Sequence, residues 1–283
     1  MKNKKNYTIL IILLLLLAVL VGWIVWDNNR ITVTEYTIKD NEIPESFSGY
    51  RIVQISDLHN AEFGSENELL LNNIRLLQPD IIVLTGDLID SYHTDVDISL
   101  AFVRQAVQIA PTYYVFGNHE VRIPDAYRRL KAGMEDAGVV ILDESILLKR
   151  DSEVLALVGV PDPSALGVDS QAYTKAIDSL LEERKSDRST YSVLLCHRPE
   201  VFDAFVENGV DLVFTGHTHG GQIRLPLIGA VFAPDQGLIP AYDAGIFTKE
   251  DTTMIISRGL GNSSFPFRVD CPPEIVVATL MHE

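Results

Sequence analysis

The stretch Gly216–Gln222, which reads Gly-His-Thr-His-Gly-Gly-Gln, decides how the rest of this 283-residue chain is interpreted. It follows the apolar run 210–214, and an apolar run bounded by glycine is typical of a buried strand. His217 and His219 therefore leave the end of a strand in a tight loop, where glycines permit a sharp turn and a close approach. The pair alone does not require a metal ion, because two solvated histidines in a loop would give the same pattern.

Four other predicted strands end in similar side chains. These strands are 51–56, 80–85, 112–116 and 191–196. The polar residues at the five strand ends are Asp57, His59, Asp87, Asn118, His119, His197, His217 and His219. Residues two apart in an extended segment point the same way, so Asp57 and His59 can reach one ion together. Because sites in open α/β sheets form at the carboxyl ends of strands, we expect these side chains to converge.

Nitrogen and oxygen ligands without cysteine suit Mn, Fe, Zn, Co or Ni rather than a structural thiolate zinc site. The eight groups are too many for one ion. They fit two ions about 3.5–4 Å apart that share a carboxylate. Asp87 stands alone at its strand end and is the natural bridge.

Strands and helices alternate along most of the chain, which favours α/β layers in one domain. Helices are predicted over 66–77, 95–110, 124–137, 169–185 and 201–207. Further strands are predicted over 31–38, 139–142, 145–149, 154–160, 253–257 and 275–280, the first of them at a sheet edge. Residues 223–247 have weak periodicity and predict loops near the mouth of the site, with room for one hairpin.

The N-terminal segment Thr8–Trp26 contains no charged residue. Its 19 residues would form a helix of about 28 Å, close to the hydrocarbon thickness of a bilayer. Both tryptophans lie at its far end, where an interfacial aromatic belt would place them. Lysines precede the segment, which predicts a cytoplasmic N-terminus and an extracytoplasmic remainder.

A cleaved signal peptide is the alternative interpretation of this segment. It requires a shorter apolar core and a small-residue cleavage site, and the sequence favours an uncleaved anchor. The predicted organisation is a stub and transmembrane anchor over 1–30, a juxtamembrane linker with a first strand over 31–49, and a catalytic domain over 50–283.

The formal net charge is −16, and residues 31–283 hold 38 of the 39 acidic side chains. Such a domain is repelled by nucleic acid, so no nucleic-acid partner is expected. Cys196 and Cys271 are too few for a disulfide framework and are expected to be unpaired thiols.

The strand-end motifs resemble, in the same order, those of the calcineurin-like metallophosphoesterases. They are Asp57-x-His59, Gly86-Asp87, Gly117-Asn118-His119-Glu120, His197 and Gly216-His217-x-His219. The resemblance covers residues 50–283. Closing elements around Arg258 and Arg268 resemble the bacterial membrane-anchored YkuE/YaeI-like branch, which is related to UDP-2,3-diacylglucosamine hydrolases. The resemblance implies a two-sheet β-sandwich flanked by helices, an α-β-β-α fold, behind one N-terminal transmembrane helix.

The resemblance also implies the ligand sets. One ion would take Asp57, His59, Asp87 and His219, and the other Asp87, Asn118, His197 and His217. His119 would stabilise the transition state or protonate the leaving alkoxide, although a histidine beside a ligand can also serve only to orient it. Glu120 and Asp90 are expected to accept hydrogen bonds behind the ligands. Arg198 and Arg258 are candidates for binding a substrate phosphate.

The implied activity is that of a two-metal phosphodiesterase or pyrophosphatase, with Mn as the first choice of metal. A hydroxide bridging the two ions would attack phosphorus. The substrate would be a lipid-linked, nucleotide-linked or cell-envelope phosphoester. Phosphomonoesterase activity, a non-catalytic metal-binding module and a metal amidase or peptidase are the alternatives. The sequence gives no oligomeric state.

Overall fold

The computed structural model describes residues 2–168, 172–184, 190–263 and 265–283. Its α-helices are α1 (Lys2–Asn29), α2 (Glu68–Leu76), α3 (Val96–Ala106), α4 (Asn118–Arg122), α5 (Pro124–Ala137), α6 (Tyr173–Arg184) and α7 (Phe202–Glu207). Of the helix predicted over 169–185, residues 169–171 and 185 lie outside the described part of the chain.

Two six-stranded sheets form the centre of the fold. The first has the order β1-β16-β2-β3-β4-β5, with β1 at its edge as predicted. Its strands are β1 (Thr32–Asp40), β2 (Arg51–Ile55), β3 (Ile81–Thr85), β4 (Thr112–Val115), β5 (Val140–Ile141) and β16 (Glu274–His282). Strands β2 to β5 are mutually parallel, so their carboxyl ends lie along one edge.

The second sheet has the order β14-β15-β9-β8-β7-β6. Its strands are β6 (Ile146–Arg150), β7 (Glu153–Gly159), β8 (Ser192–Leu195), β9 (Leu212–Thr215), β14 (Gly245–Lys249) and β15 (Thr252–Ile256). Strands β7, β8, β9 and β15 are parallel to one another.

Three apolar clusters hold the layers together. The middle cluster lies between the sheets and includes Ile52, Val83 and Phe214. The cluster on the outer face of the first sheet contains residues of α2, α3 and α5, and the cluster on the outer face of the second sheet contains residues of α6 and α7. Because both faces of each sheet are covered, the central strands are continuous apolar runs rather than alternating ones. The predicted helix-flanked two-sheet sandwich is confirmed.

The region 223–247 is more ordered than its sequence predicts. It contains two short hairpins, β10–β11 (Arg224–Leu225 with Gly229–Ala230) and β12–β13 (Phe232–Ala233 with Gly237–Leu238). The sequence suggested one hairpin and the structure has two, because two-residue strands have too few residues to establish a period in the sequence.

Helix α1 is long and apolar enough to cross a membrane. Side chains from residue 6 to Trp23 are exposed, and a helix that is apolar all round is stable when lipid or protein surrounds it. Only residues 30 and 31 separate α1 from β1, and β1 pairs with β16 from its first residue, Thr32. Much of the predicted linker is therefore part of the first sheet.

Candidate metal centre

The carboxyl ends of β2, β3, β4, β8 and β9 bring the predicted site residues together. Several of these residues adopt left-handed backbone conformations, which are uncommon for residues other than glycine. The residues with φ between 45° and 69° are Asp57, His59, Asp87, His217 and His219. Such conformations persist where the surrounding structure enforces them, and they cluster at functional sites.

One group of side chains contains Asp57, His59 and His219, all buried and close enough to share an ion. The Asp57 Oδ1 atom lies 3.9 Å from His59 Nε2 and 3.5 Å from His219 Nε2. His59 Nε2 is buried and has no hydrogen-bond partner among the described residues. A buried nitrogen without a partner is costly unless a ligand uses its lone pair, so this atom fits a cation.

A second buried group contains Asp87, His197 and His217. His197 Nε2 lies 3.2 Å from Asp87 Oδ2 and 3.1 Å from Asn118 Oδ1. The same Asp87 oxygen lies 3.7 Å from His59 Nε2 in the first group. The two groups therefore meet at one carboxylate, which is the arrangement that a bridged pair of ions requires.

The outer nitrogens of His59 and His197 are held by neighbours, so the inner nitrogen of each ring faces Asp87. His197 Nδ1 lies 2.7 Å from the Thr85 carbonyl oxygen, to which it donates. His59 Nδ1 lies 3.1 Å from Asp90 Oδ2. Such contacts fix the tautomer and the ring orientation of metal-binding histidines. Asp90 thus lies behind His59, on the side of the ring that faces away from Asp87.

Glu120 supports the loops rather than pointing at the ion positions. Its carboxylate accepts hydrogen bonds from the backbone N–H groups of Asp87 at 2.9 Å, Gly117 at 2.8 Å and Ile89 at 3.2 Å. These bonds hold the β3 and β4 loops against each other. Burial and the Asp87 charge raise the pKa of Glu120 to about 7.

Gly86 is required by close packing at the centre. Its φ of 92° and the space around it exclude a side chain, because a Cβ atom would lie 2.7 Å from both Gly117 N and His197 Nδ1. The glycine of the Gly-Asp motif therefore lets the Gly117 backbone and the His197 ring approach Asp87 closely.

The charges of the site favour cations. Burial alone would lower the pKa of His197, but the adjoining Asp87 carboxylate raises it to about 10. Burial alone would raise the pKa of the Asp87 carboxyl, but the adjoining His197 holds it well below its usual range. Carboxylates that hold a proton on a buried imidazole would also attract divalent ions to this position.

His119 lies beside the first group, with its ring centroid 4.4 Å from that of His59. Its Nδ1 atom accepts a hydrogen bond from the Ser91 backbone N–H at 3.0 Å, so in the neutral ring Nε2 carries the proton. Burial lowers the pKa of His119 to about 4, which keeps the ring neutral at physiological pH. Nε2 is thus a hydrogen-bond donor beside the proposed ions.

The two arginines predicted as phosphate contacts both pair with carboxylates. Arg258 pairs with Glu274 at 2.7 Å, on the edge where β16 begins. Arg198 is buried and pairs with Asp162 at 2.8 Å and Glu200 at 3.0 Å, and also with Asp235. Arg198 Nη1 also lies 3.3 Å from His217 Nε2, so Arg198 lies beside the second group, whereas Arg258 is engaged by Glu274.

Sequence reasoning missed three residues at the centre. Asp235 Oδ2 lies 3.0 Å from His217 Nε2. Arg122 Nη1 lies 3.4 Å from His119 Nε2, and Arg268 Nη2 lies 3.4 Å from His219 Nδ1. Arg122 is the fourth residue after Asn118, a helical spacing that could have indicated it once α4 was recognised. Asp235 and Arg268 come from loops whose paths the sequence does not reveal.

A small cavity of about 90 Å³ opens onto the two groups, and its walls include Asn118, His119 and Arg122. A larger one of about 770 Å³ adjoins it and shares Tyr92 and Ser263. The smaller cavity has the size of a phosphoryl group, and the larger offers room for the remainder of a substrate.

A helix-flanked two-sheet sandwich with adjoining Asp/His groups at its strand ends defines a class of metal-dependent hydrolases. Residues 50–221 match the calcineurin-like phosphoesterase family. The chain belongs to that family, as the sequence motifs predict, and is a metal-dependent phosphoester hydrolase.

Two relatives illustrate the similarity. The chain is 31% identical to the uncharacterized metallophosphoesterase YkuE of Bacillus subtilis over 90% of this chain and 87% of that protein. It is 27% identical to the phosphodiesterase YaeI of Escherichia coli over 92% of this chain and 89% of that protein. The crystal structure of TT1561 of Thermus thermophilus matches with a TM-score of 0.48 at 14% identity, over 75% of this chain and 91% of that one.

Asp235→Asn is expected to weaken metal binding at the second group. The carboxylate on His217 Nε2 orients that ring, and losing such a partner typically costs about 10- to 100-fold in metal affinity. Metal content at limiting Mn²⁺ measures the effect, with activity recovering in excess Mn²⁺. Asp251→Asn, an exposed carboxylate in the β14–β15 turn, is the control. Unchanged affinity in Asp235→Asn would refute the orienting role.

Proposed function

We propose that this chain is a membrane-anchored phosphodiesterase or pyrophosphatase that works with two divalent ions. The observation that carries the proposal is the position of Asp87 Oδ2, 3.7 Å from His59 Nε2 and 3.2 Å from His197 Nε2. A carboxylate shared between two ligand groups is the geometry of a binuclear site.

The proposed ligands follow the two groups. Asp57, His59, Asp87 and His219 hold one ion, and Asp87, Asn118, His197 and His217 hold the other. Mn²⁺ is the proposed metal, with Fe, Zn, Co or Ni as other occupants of mixed nitrogen and oxygen sites. When bound, the two ions supply Lewis acidity, which lowers the pKa of water and offsets the charge of a phosphoester.

The protein's own groups act on the substrate from one side of the small cavity. The Nε2–H of His119 donates to the leaving oxygen or to a phosphoryl oxygen. Arg122 adds a second donor 3.4 Å from that nitrogen, and no ion pair engages it among the described residues. Two donors that converge without an acceptor between them suit the oxygens of an anionic phosphoryl group.

The proposed substrate is a lipid-linked, nucleotide-linked or cell-envelope phosphoester, with a UDP-2,3-diacylglucosamine-type molecule as a specific case. The support is helix α1, which would hold the site beside a membrane. We propose a cytoplasmic N-terminus and an extracytoplasmic catalytic domain, because lysines precede α1. A reporter fused to the C-terminus tests this orientation.

Chelation is expected to abolish turnover of bis(p-nitrophenyl) phosphate, and Mn²⁺ is expected to restore it. The full chain is assayed in detergent after treatment with a chelator and dialysis, with and without added Mn²⁺. p-Nitrophenyl phosphate, assayed in parallel, reports phosphomonoesterase activity, and faster turnover of that monoester would favour the alternative. Two bound ions without hydrolysis of either ester would instead indicate a non-catalytic module.

A further inference from the structure

Besides Phe232, five large apolar side chains are exposed on or directly after the two neighbouring hairpins β10–β11 and β12–β13. We call them the hairpin tips: Leu225, Leu227, Ile228, Leu238 and Ile239. Backbone hydrogen bonds join the hairpins, because Val231 N donates to Ile223 O at 3.1 Å and Ile239 N donates to Val231 O at 3.1 Å. Single exposed apolar residues are ordinary, but a group on one structural unit marks an interaction surface.

Two of the tips are held in strained backbone conformations. Leu227 has φ of 70° and is fully exposed, and Ile239 has φ of 54° and is 73% exposed. A positive φ is unfavourable for bulky residues and most of all for β-branched ones. Neither side chain gains burial in the core that would offset this strain. The side chains therefore act on something outside the folded domain.

The base of the hairpins is tied to the end of α1. Asn28 Nδ2 donates to the Arg268 carbonyl oxygen at 2.8 Å, and Arg268 N donates to Asn28 Oδ1 at 2.7 Å. The next residue, Val269, exchanges backbone bonds with the start of the first hairpin: its N–H donates to Gln222 O at 2.8 Å, and Arg224 N donates to Val269 O at 3.0 Å. The first hairpin thus begins beside Val269, one residue from the contact of Arg268 with α1.

The domain has little freedom to turn away from α1. Helix α1 ends at Asn29 and β1 begins at Thr32, whose N–H donates to Pro273 O at 2.8 Å. Two connecting residues reach only about 7 Å when extended. If the apolar part of α1 spans a bilayer, its end lies at the lipid surface, and the base of the hairpins lies there too.

We propose that the hairpin tips insert into the headgroup–acyl boundary of the membrane that α1 spans. The proposal rests on the anchoring in the proposed function and is independent of the hydrolase chemistry. Because the domain is acidic, the insertion is driven by apolar area rather than by attraction to anionic lipids. Zwitterionic vesicles therefore suffice, and added salt does not reverse the insertion.

Insertion of the tips would also narrow the substrate class. The cavity of about 770 Å³ beside the metal centre is lined by Asn262, Ser263 and Pro266, on the segment that leads to Arg268. His59 and Asp90 line the same cavity, so it connects the lipid-side segment with the metal centre. An amphiphilic phosphoester in the bilayer could present its headgroup to the ions while its apolar chain stays in the membrane.

Nitroxide accessibility tests the insertion. The full chain carrying Leu227→Cys or Ile239→Cys is labelled and reconstituted in phosphatidylcholine vesicles; both native cysteines are buried. We expect a several-fold lower accessibility to a water-soluble nickel reagent, and a higher accessibility to oxygen, than at Leu76→Cys. Leu76 is 81% exposed and lies where α2 leads into the amino end of β3, opposite the metal centre. Equal nickel accessibility at the three positions would overturn the proposal.

A second arm separates this proposal from the hydrolase assignment. The double variant Leu227→Asp/Ile239→Asp is expected to keep turnover of bis(p-nitrophenyl) phosphate and to lose most turnover of a nitrophenyl phosphodiester carried on a diacylglycerol in vesicles. Aspartate tolerates a left-handed backbone, so the hairpins should fold. Equal turnover of the vesicle ester by the variant and the wild type would count against insertion. Failure of the wild type on the soluble ester would refute only the hydrolase function.

Discussion

Asp87→Asn is expected to abolish hydrolysis and to remove both ions from the centre. The substitution keeps the shape of the side chain but removes the charge that the two ligand groups share, 3.7 Å from His59 Nε2 and 3.2 Å from His197 Nε2. We expect kcat/KM to fall by at least about 10³-fold, or about 4 kcal/mol of transition-state stabilisation. The measurements are kcat/KM on bis(p-nitrophenyl) phosphate and metal content after dialysis.

Asp143→Asn is the matched control, because that carboxylate is exposed and pairs with Lys131 at 3.2 Å rather than with a candidate ligand. It should retain wild-type metal content and activity. Circular dichroism and thermal unfolding of both variants separate loss of metal from loss of fold. If Asp87→Asn keeps two ions and the wild-type rate, Asp87 is not a carboxylate that the two ions share.

Much of the fold and of the candidate centre could be predicted because the candidate ligands lie at the ends of short apolar strands. The runs 81–84 and 212–214 are continuously apolar because both faces of their sheets are covered, and each leads into a motif of candidate ligands. Parallel strands align their carboxyl ends, so local patterns were enough to predict that distant residues meet. The prediction that candidate ligands meet around Asp87 depends on this alignment of parallel strands and not on the conformations of the side chains.

The parts that could not be predicted depend on contacts between distant residues. Strand β1 pairs in parallel with β16, which joins the first strand of the chain to the last, and no local period encodes that partner. Asp235 reaches His217 from a loop between two-residue strands. Arg258 is a residue type that often binds phosphate, yet Glu274 at the start of β16 engages it. Each outcome was decided by packing that a linear sequence pattern does not contain.

Substitution of His119 by glutamine is expected to lower kcat while leaving both ions in place. The ring accepts from the Ser91 N–H through Nδ1 and therefore presents Nε2–H to the cavity. A positioned proton donor typically contributes about 10²- to 10⁴-fold to the rate, and we expect a loss in that range. Metal content should match the wild type, because the proposed ligand sets do not include His119.

The dependence on the leaving group distinguishes proton donation from a purely structural role. Nitrophenolate leaves readily without a proton, whereas an alkoxide does not, so the loss in His119→Gln should grow as the leaving group becomes more basic. A series of methyl aryl phosphodiesters, extended to an alkyl ester, measures this slope. His282→Gln is the control, because His282 ends β16, which is antiparallel to β2 and therefore ends away from the metal centre, and this variant should give the wild-type slope. An equal loss across the series would assign His119 to orientation of the site instead of proton transfer, since only donation to the leaving oxygen scales with its basicity.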